Sequence, residues 1–465
     1  MFALSLRRKK RYDIRASVDA RSHAMFTNKD LKKLLLPLIA EQILMSLMGT
    51  ADAMMVSNVG AAALSAVSLV DAINTLILHL FSAMATGGAV VASQYIGHRE
   101  EKKANQAGRQ LLLSVTAAAL FLTVLLLAVK RPLLKIIFGR ITQEVMTDSL
   151  TYYSITVLSY PFIAVQYGSA ALFRAAGNSR TPLLVTVAAN ALNILGNAVL
   201  IFCFHMGVAG AAIATTVSRV LGGVVMLLLQ RKPGTVITFR DYLSVRPDFP
   251  TIRRILSIGI PTGVENGLFQ LGKLLIQSTV STLGTAAMAV QAITAQIELF
   301  TSMPGMAVGI GLVTVVGQCI GAGRPDEAVR YSKKLTLISF LSVAAFSALS
   351  IPACPLITRL ARMDADSARQ VFRLVVLIAC VKPAIWALGF TPAYGMRAAG
   401  DVRYSMVVSS VIMWIMRVGL CWYLCRYAGF GVLGVWIAMF SDWTCRAVLF
   451  SLRFARKKWL LHNVI

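Results

Sequence analysis

The sequence predicts an all-α polytopic membrane protein with about twelve transmembrane helices in two pseudo-symmetric six-helix bundles. Composition is the first observation behind this: of 465 residues, 57% are hydrophobic and only 14% charged, and the mean hydropathy is +0.70, well outside the range of soluble domains. The second is the recurrence of apolar runs long enough for a spanning helix of about 20 residues. The third is an internal repeat.

Apolar runs bounded by charge, Gly or Pro place helices at 31–57, 68–96, 109–129, 149–173, 181–205 and 209–230, then at 255–282, 286–319, 333–353, 369–395, 404–426 and 431–453. This divides the chain into a basic arm (1–30), a first lobe (31–230), a linker (231–254), a second lobe (255–453) and a tail (454–465). The repeat holds through both lobes. At an offset of 224, Pro37 answers Pro261, Glu41 answers Glu265, Gly60 answers Gly284, Gln94 answers Gln318 and Gly97 answers Gly321. F-R-A-A-G-N-S-R (Phe173 to Arg180) answers M-R-A-A-G-D-V-R (Met396 to Arg403) at 223. An even number of helices per repeat gives both lobes one orientation, related by an axis along the membrane normal. A cavity between them would open to one side at a time, with the linker letting the halves rock.

The net charge of +26 does not indicate nucleic acid, because most basic residues bracket apolar runs. They concentrate in alternate connections, which the positive-inside rule assigns to the cytoplasm together with both termini. The arm, with Arg7, Arg8, Lys9, Lys10 and Arg11, reads as a mobile segment near anionic headgroups. Seven cysteines fall mostly in apolar runs without disulfide or zinc spacing.

Ionisable groups inside the spans carry the functional reading, since they are costly there and usually functional. The first lobe has Glu41, Asp52 and Asp71, and the second has Glu265, Lys273 and Glu298. Glu41 and Asp52 are eleven residues apart, which returns them to one helix face. Asn190, Asn193 and Asn197 form an amide stripe that either staples helices or lines a site. A buried carboxylate can hold a proton, and among amides it is also a hard-oxygen site for a small cation. Binding of H⁺ or Na⁺ then biases which way the bundles face. Lys273 is two turns from Glu265 and would neutralise it. No nucleotide loop, H-E-x-x-H or G-x-S-x-G is present, so no enzyme is expected and no cofactor beyond the coupling ion.

D-A-M-M-V followed by G-A-A-A-L-S-A-V, its counterpart G-T-A-A-M-A-V-Q-A, the V-G-Q-C-I-G-A-G-R-P-D-E-A stretch and both R-A-A-G loops together resemble the multidrug and toxic compound extrusion (MATE) family over nearly the whole chain. The resemblance implies a V-shaped pair of bundles in a bacterial cytoplasmic membrane, exporting organic, often cationic compounds in exchange for H⁺ or Na⁺. Asp52 matches the family's first-helix aspartate and Asn193 the asparagine on the fifth helix; Asn197 stands where many relatives have aspartate.

The resulting expectation is a monomeric efflux antiporter. Asp52, Glu41, Asn193 and Asn197 couple the ion, and Asp52 with Asn193 would hold Na⁺ if sodium is used. Glu265, Gln291, Glu298, Met45, Met48, Phe269, Asn190 and Asp71 line the drug cavity. A lipid-linked saccharide flippase is the alternative, calling for a cationic cavity with Lys273, Lys382 and Arg417 as candidates. A membrane-embedded enzyme would need clustered His, Asp or Ser at one face, which the sequence does not offer.

Overall fold

In the computed structural model, residues 24–139, 141–232, 236–238, 246–462 and 464–465 are described. All their regular structure is helical. The first lobe consists of α1 (Asn28–Ser57), α2 (Ala61–Gly97), α3 (Glu101–Ala128), a short α4 (Lys130–Phe138), α5 (Gln143–Val157), α6 (Tyr160–Ala175), α7 (Arg180–Asn197) and α8 (Gly207–Gln230). The second consists of α9 (Phe249–Ser281), α10 (Thr285–Gly321), α11 (Pro325–Leu360), α12 (Ala365–Ala398), α13 (Val402–Ile412), α14 (Leu420–Arg426) and α15 (Gly431–Ala455). A π-helical turn, Ala198–Cys203, extends α7, and another, Met413–Gly419, joins α13 to α14.

Among the described residues, ten helices are long and apolar enough to span a membrane, and α5 with α6, bent by 49°, makes an eleventh. The twelfth expected span is α9, 33 residues long with Pro261 inside it. Its Glu265, Asn266, Gln270 and Lys273 dilute its hydropathy. Several helices run longer than the apolar pattern indicates, as in α2, α3, α11 and α12, because their polar ends stay helical beyond the apolar stretch. Local signals fix some of these ends: Thr27 and Asp30 form a reciprocal capping box ahead of α1, and Asp364 accepts the Ser367 N–H at 2.9 Å to start α12.

The repeated R-A-A-G motif stops a helix in both lobes. Gly177 (φ +81°) and Gly400 (φ +97°) take the left-handed conformation open to glycine. Asn178 N–H then donates to Phe173 O and Asp401 N–H to Met396 O, both at 2.9 Å, satisfying carbonyls at the helix end.

Apolar packing explains the two-lobed shape. One core has all its buried residues in the first lobe, around Phe81, Tyr153, Tyr160 and Ala212, with Leu256 of α9 packed on it. Another lies in the second alone, around Val290, Val371, Trp436 and Trp443. A third joins them, with Leu34, Leu38, Val90 and Val91 from one lobe packed on Val308, Leu312, Val315 and Val316 from the other. This shared core sits at the end of the bundle that carries the R-A-A-G loops. There α2 and α10 approach so closely that a Cβ on Gly97 would overlap the Gln318 carbonyl, and one on Gly321 the Gln94 carbonyl. Towards the opposite end, Gly49 of α1 and Gly267 of α9 face open space. The lobes touch at one end and part at the other.

Two boundary expectations need correction. Residues 1–23 of the expected arm lie outside the described residues, but its last part docks on the second lobe: Met25 N–H donates to Glu327 (3.0 Å), and Phe26 exchanges hydrogen bonds with the Tyr331 hydroxyl. The linker expected to end at 254 gives way to α9 at Phe249, and its described part is held by α3, where Gln110 donates to Arg246 O (2.8 Å). The tail is docked as well. Trp459 is fully buried against Phe454, and Asp401 gathers Arg453 (2.8 Å) and His462 (3.6 Å).

Candidate functional site

In the first lobe, α1, α2, α5, α7 and α8 bring polar side chains into an otherwise apolar interior. Asp52 of α1 is half-buried. Its Oδ1 accepts from Asn197 Nδ2 at 2.8 Å. Asn193, with its amide nitrogen turned to the carboxylate, donates to the same oxygen at 2.7 Å, and its own oxygen accepts from the Thr215 N–H and hydroxyl. Asp71 of α2 accepts from Asn74 (3.1 Å) and the Tyr152 hydroxyl (3.3 Å), and the Tyr160 hydroxyl donates to Asn74 at 2.7 Å. Arg219 of α8 lies within electrostatic reach of both carboxylates, and these are within reach of each other. Two acids, one guanidinium and three amides therefore share one polar chamber.

The second lobe holds a different cluster. Lys382 is fully buried and pairs with Glu298 Oε1 at 3.0 Å while donating to Thr301 Oγ1 (2.6 Å) and Glu298 O (2.7 Å). Ser302 also donates to Glu298 at 2.7 Å. Deeper in, Asp442 accepts from Arg446 at 2.8 Å and faces Arg417 at 3.5 Å. Arg417 lies in the π-helical turn, which displaces it from the regular helical register.

Several expected groupings are not brought together. Glu41 does not join Asp52. It is 3% exposed and pairs with Arg174 at 2.6 Å, because the same helix face passes first the R-A-A-G loop and only three turns later the chamber. Glu265 does not join Gln291 and Glu298 and is not neutralised by Lys273; it pairs with Arg397 at 2.8 Å. These two bonds are repeat-related and hold each R-A-A-G loop to the first helix of its own lobe. Phe269, expected as a drug contact, carries the Lys273 ammonium and the Arg417 guanidinium, each 5.3 Å from its ring centre. That surrounding repels an organic cation. Gln291 is buried with its side-chain oxygen unpartnered, and the Asn190 amide nitrogen is also without a partner. Met45 is exposed and Met48 half-buried on α1.

The sequence reading does not single out Arg219, Asn74, Tyr152, Tyr160, Thr215, Asp442 or Arg446. For Arg219, Asp442 and Arg446 a signal existed, since each interrupts an apolar span. The tyrosines and threonine join only through packing.

A family model, MatE, matches the chain twice, over residues 37–199 and 261–423, the same offset as the repeat. A probable multidrug resistance protein NorM from Thermotoga maritima is 26% identical, with 93% of each chain covered. The uncharacterized transporter YisQ of Bacillus subtilis is also 26% identical, over 91% of this chain and 93% of its own. A solved outward-facing multidrug resistance MATE family transporter superposes with a TM-score of 0.85 at 19% identity, covering 92% of this chain and 96% of its own. With a two-lobed helical fold, a polar chamber within the first lobe and both repeats matching the same family model, the chain belongs to the MATE family of efflux transporters.

Proposed function

We propose that the protein is a secondary active antiporter that exports organic compounds in exchange for an ion by alternating access, acting as a monomer in a bacterial cytoplasmic membrane. The observation that carries this is Asp52, a half-buried carboxylate receiving two amide N–H groups and lying within reach of Asp71 and Arg219. We propose H⁺ as the coupling ion. A carboxylate among donors exchanges a proton without rearrangement, whereas sodium asks for converging oxygens and would require the amides to turn. Protonation changes the charge on the cleft wall and so shifts the balance between the two facing states.

By the positive-inside rule the basic end, where the lobes touch, faces the cytoplasm. The conformation is then closed inside and open outside. Exposed Met45 and half-buried Met48 would offer an adaptable apolar wall to a lipophilic substrate. The test is uptake of ethidium into everted vesicles under separate proton and sodium gradients. The parent is expected to respond to the proton gradient and Asp52→Asn to lose that response; a mutant that pumps as well as the parent under both gradients overturns the assignment.

A further inference from the structure

Proton exchange in the first lobe gives the charges of the second lobe no task. At the repeat offset, within one residue, Asn193 corresponds to Arg417, Asn74 to Glu298, Ser159 to Lys382 and Ser218 to Asp442. Positions that are neutral in one lobe are charged in the other. The first chamber sets Asp52 and Asp71 against Arg219, an excess of negative charge. The second sets Lys273, Lys382, Arg417 and Arg446 against Glu298 and Asp442, an excess of positive charge.

Both carboxylates of this second cluster are already committed. Glu298 takes Lys382 and Ser302, and Asp442 is divided between two arginines. Arg417 is only 4% exposed, and its Nε lies 3.5 Å from Asp442 without a hydrogen bond, sharing that carboxylate with Arg446. Among the described residues Lys273 makes no ion pair; its ammonium lies over Phe269, as does the Arg417 guanidinium. One ring thus holds two cations beside each other. His79 of α2 is within electrostatic reach of Lys273, which places the pair where α2 and α9 meet between the lobes, and Lys273 answers at the repeat offset Gly49, which faces open space. Cations that outnumber their carboxylates are costly in a desolvated site, and an oxyanion would supply further acceptors.

We propose that Phe269, Lys273 and Arg417 form an anion-binding subsite on the second-lobe wall of the cleft, taking the carboxylate or phosphate of an amphiphilic molecule. It deepens the export reading by adding a second substrate class, amphiphiles with an anionic group, to the lipophilic cations that ethidium represents, and is tested by binding alone. The purified full chain is titrated with dansylundecanoic acid, a fluorescent carboxylate amphiphile, with phosphatidic acid as competitor. Lys273→Gln and Arg417→Gln are each expected to weaken dansylundecanoate binding about ten-fold, the loss of one charge-assisted contact, while Lys273→Arg retains it. Lys273→Gln is expected not to lower the thermal-unfolding midpoint, which separates lost charge from lost fold. Displacement by phosphatidic acid assigns the subsite to a lipid headgroup, and its failure to displace assigns it to a carboxylate; both uphold the subsite. Parental affinity in Lys273→Gln, or no anion binding by the parent, overturns it. Absence of proton-driven ethidium export would overturn the antiport reading and leave the anion titration standing.

Discussion

Gln94 and Gln318 make the same contact in opposite directions: Gln94 Nε2 donates to Ala398 O across the lobe boundary, and Gln318 Nε2 donates to Ala175 O, each at 2.7 Å. The acceptors are the R-A-A-G alanine carbonyls of the opposite lobe. Two motifs repeated in the sequence thus meet each other across the pseudo-two-fold axis, and His98 adds a further contact to Gly321 O at 3.0 Å. This crossed pair closes the end of the cleft where the shared core lies.

If the pair holds that end shut, Gln94→Leu shifts the balance towards the conformation open there. Losing one hydrogen bond of about 1 kcal/mol corresponds to about a five-fold change in population. Cys319 is fully buried beside the clasp. In a chain whose other cysteines are serine, its alkylation rate is expected to rise by that factor, and an unchanged rate would dismiss the clasp.

Gly97→Ala attacks the same closure sterically, since the added methyl meets the Gln318 backbone and no flexible side chain can yield. Expected outcomes are faster Cys319 alkylation and slower export, with membrane insertion intact. Gly321→Ala is expected to behave alike, because its Cβ meets the Gln94 backbone.

Glu41 and Arg174 form a largely buried ion pair. Glu41→Gln leaves the guanidinium uncompensated and is expected to cost about 3 to 5 kcal/mol, seen as a lowered midpoint in thermal unfolding. The double variant Glu41→Gln with Arg174→Gln is expected to recover part of it. If Glu41 instead belonged to the coupling site, the single variant would change the ion dependence of export and leave the midpoint alone.

Trp459 tests the docked tail. Its side chain is fully buried and stacked on Phe454 with ring centres 5.3 Å apart. Trp459→Ala is expected to lose about 3 to 5 kcal/mol, read from the same unfolding experiment; a free tail would tolerate the change.

The sequence by itself determined the membrane class, the two repeats and the family, because apolar runs, charge placement and a constant offset are properties of order along a chain. It also brought forward Asp52, Asn193 and Asn197, since polar groups inside an apolar span stand out without coordinates. Tertiary structure alone decided which partner each charge meets. Glu41 and Asp52 share a helix face, yet one lies against Arg174 and the other against Asn193 and Asn197, because what surrounds a face changes along its length. Likewise Lys273 and Glu265 lie two turns apart on one helix, but Glu265 was claimed by an arginine 132 positions away. Helical spacing limits which side chains can look the same way, whereas their partners come from helices whose packing no local pattern specifies.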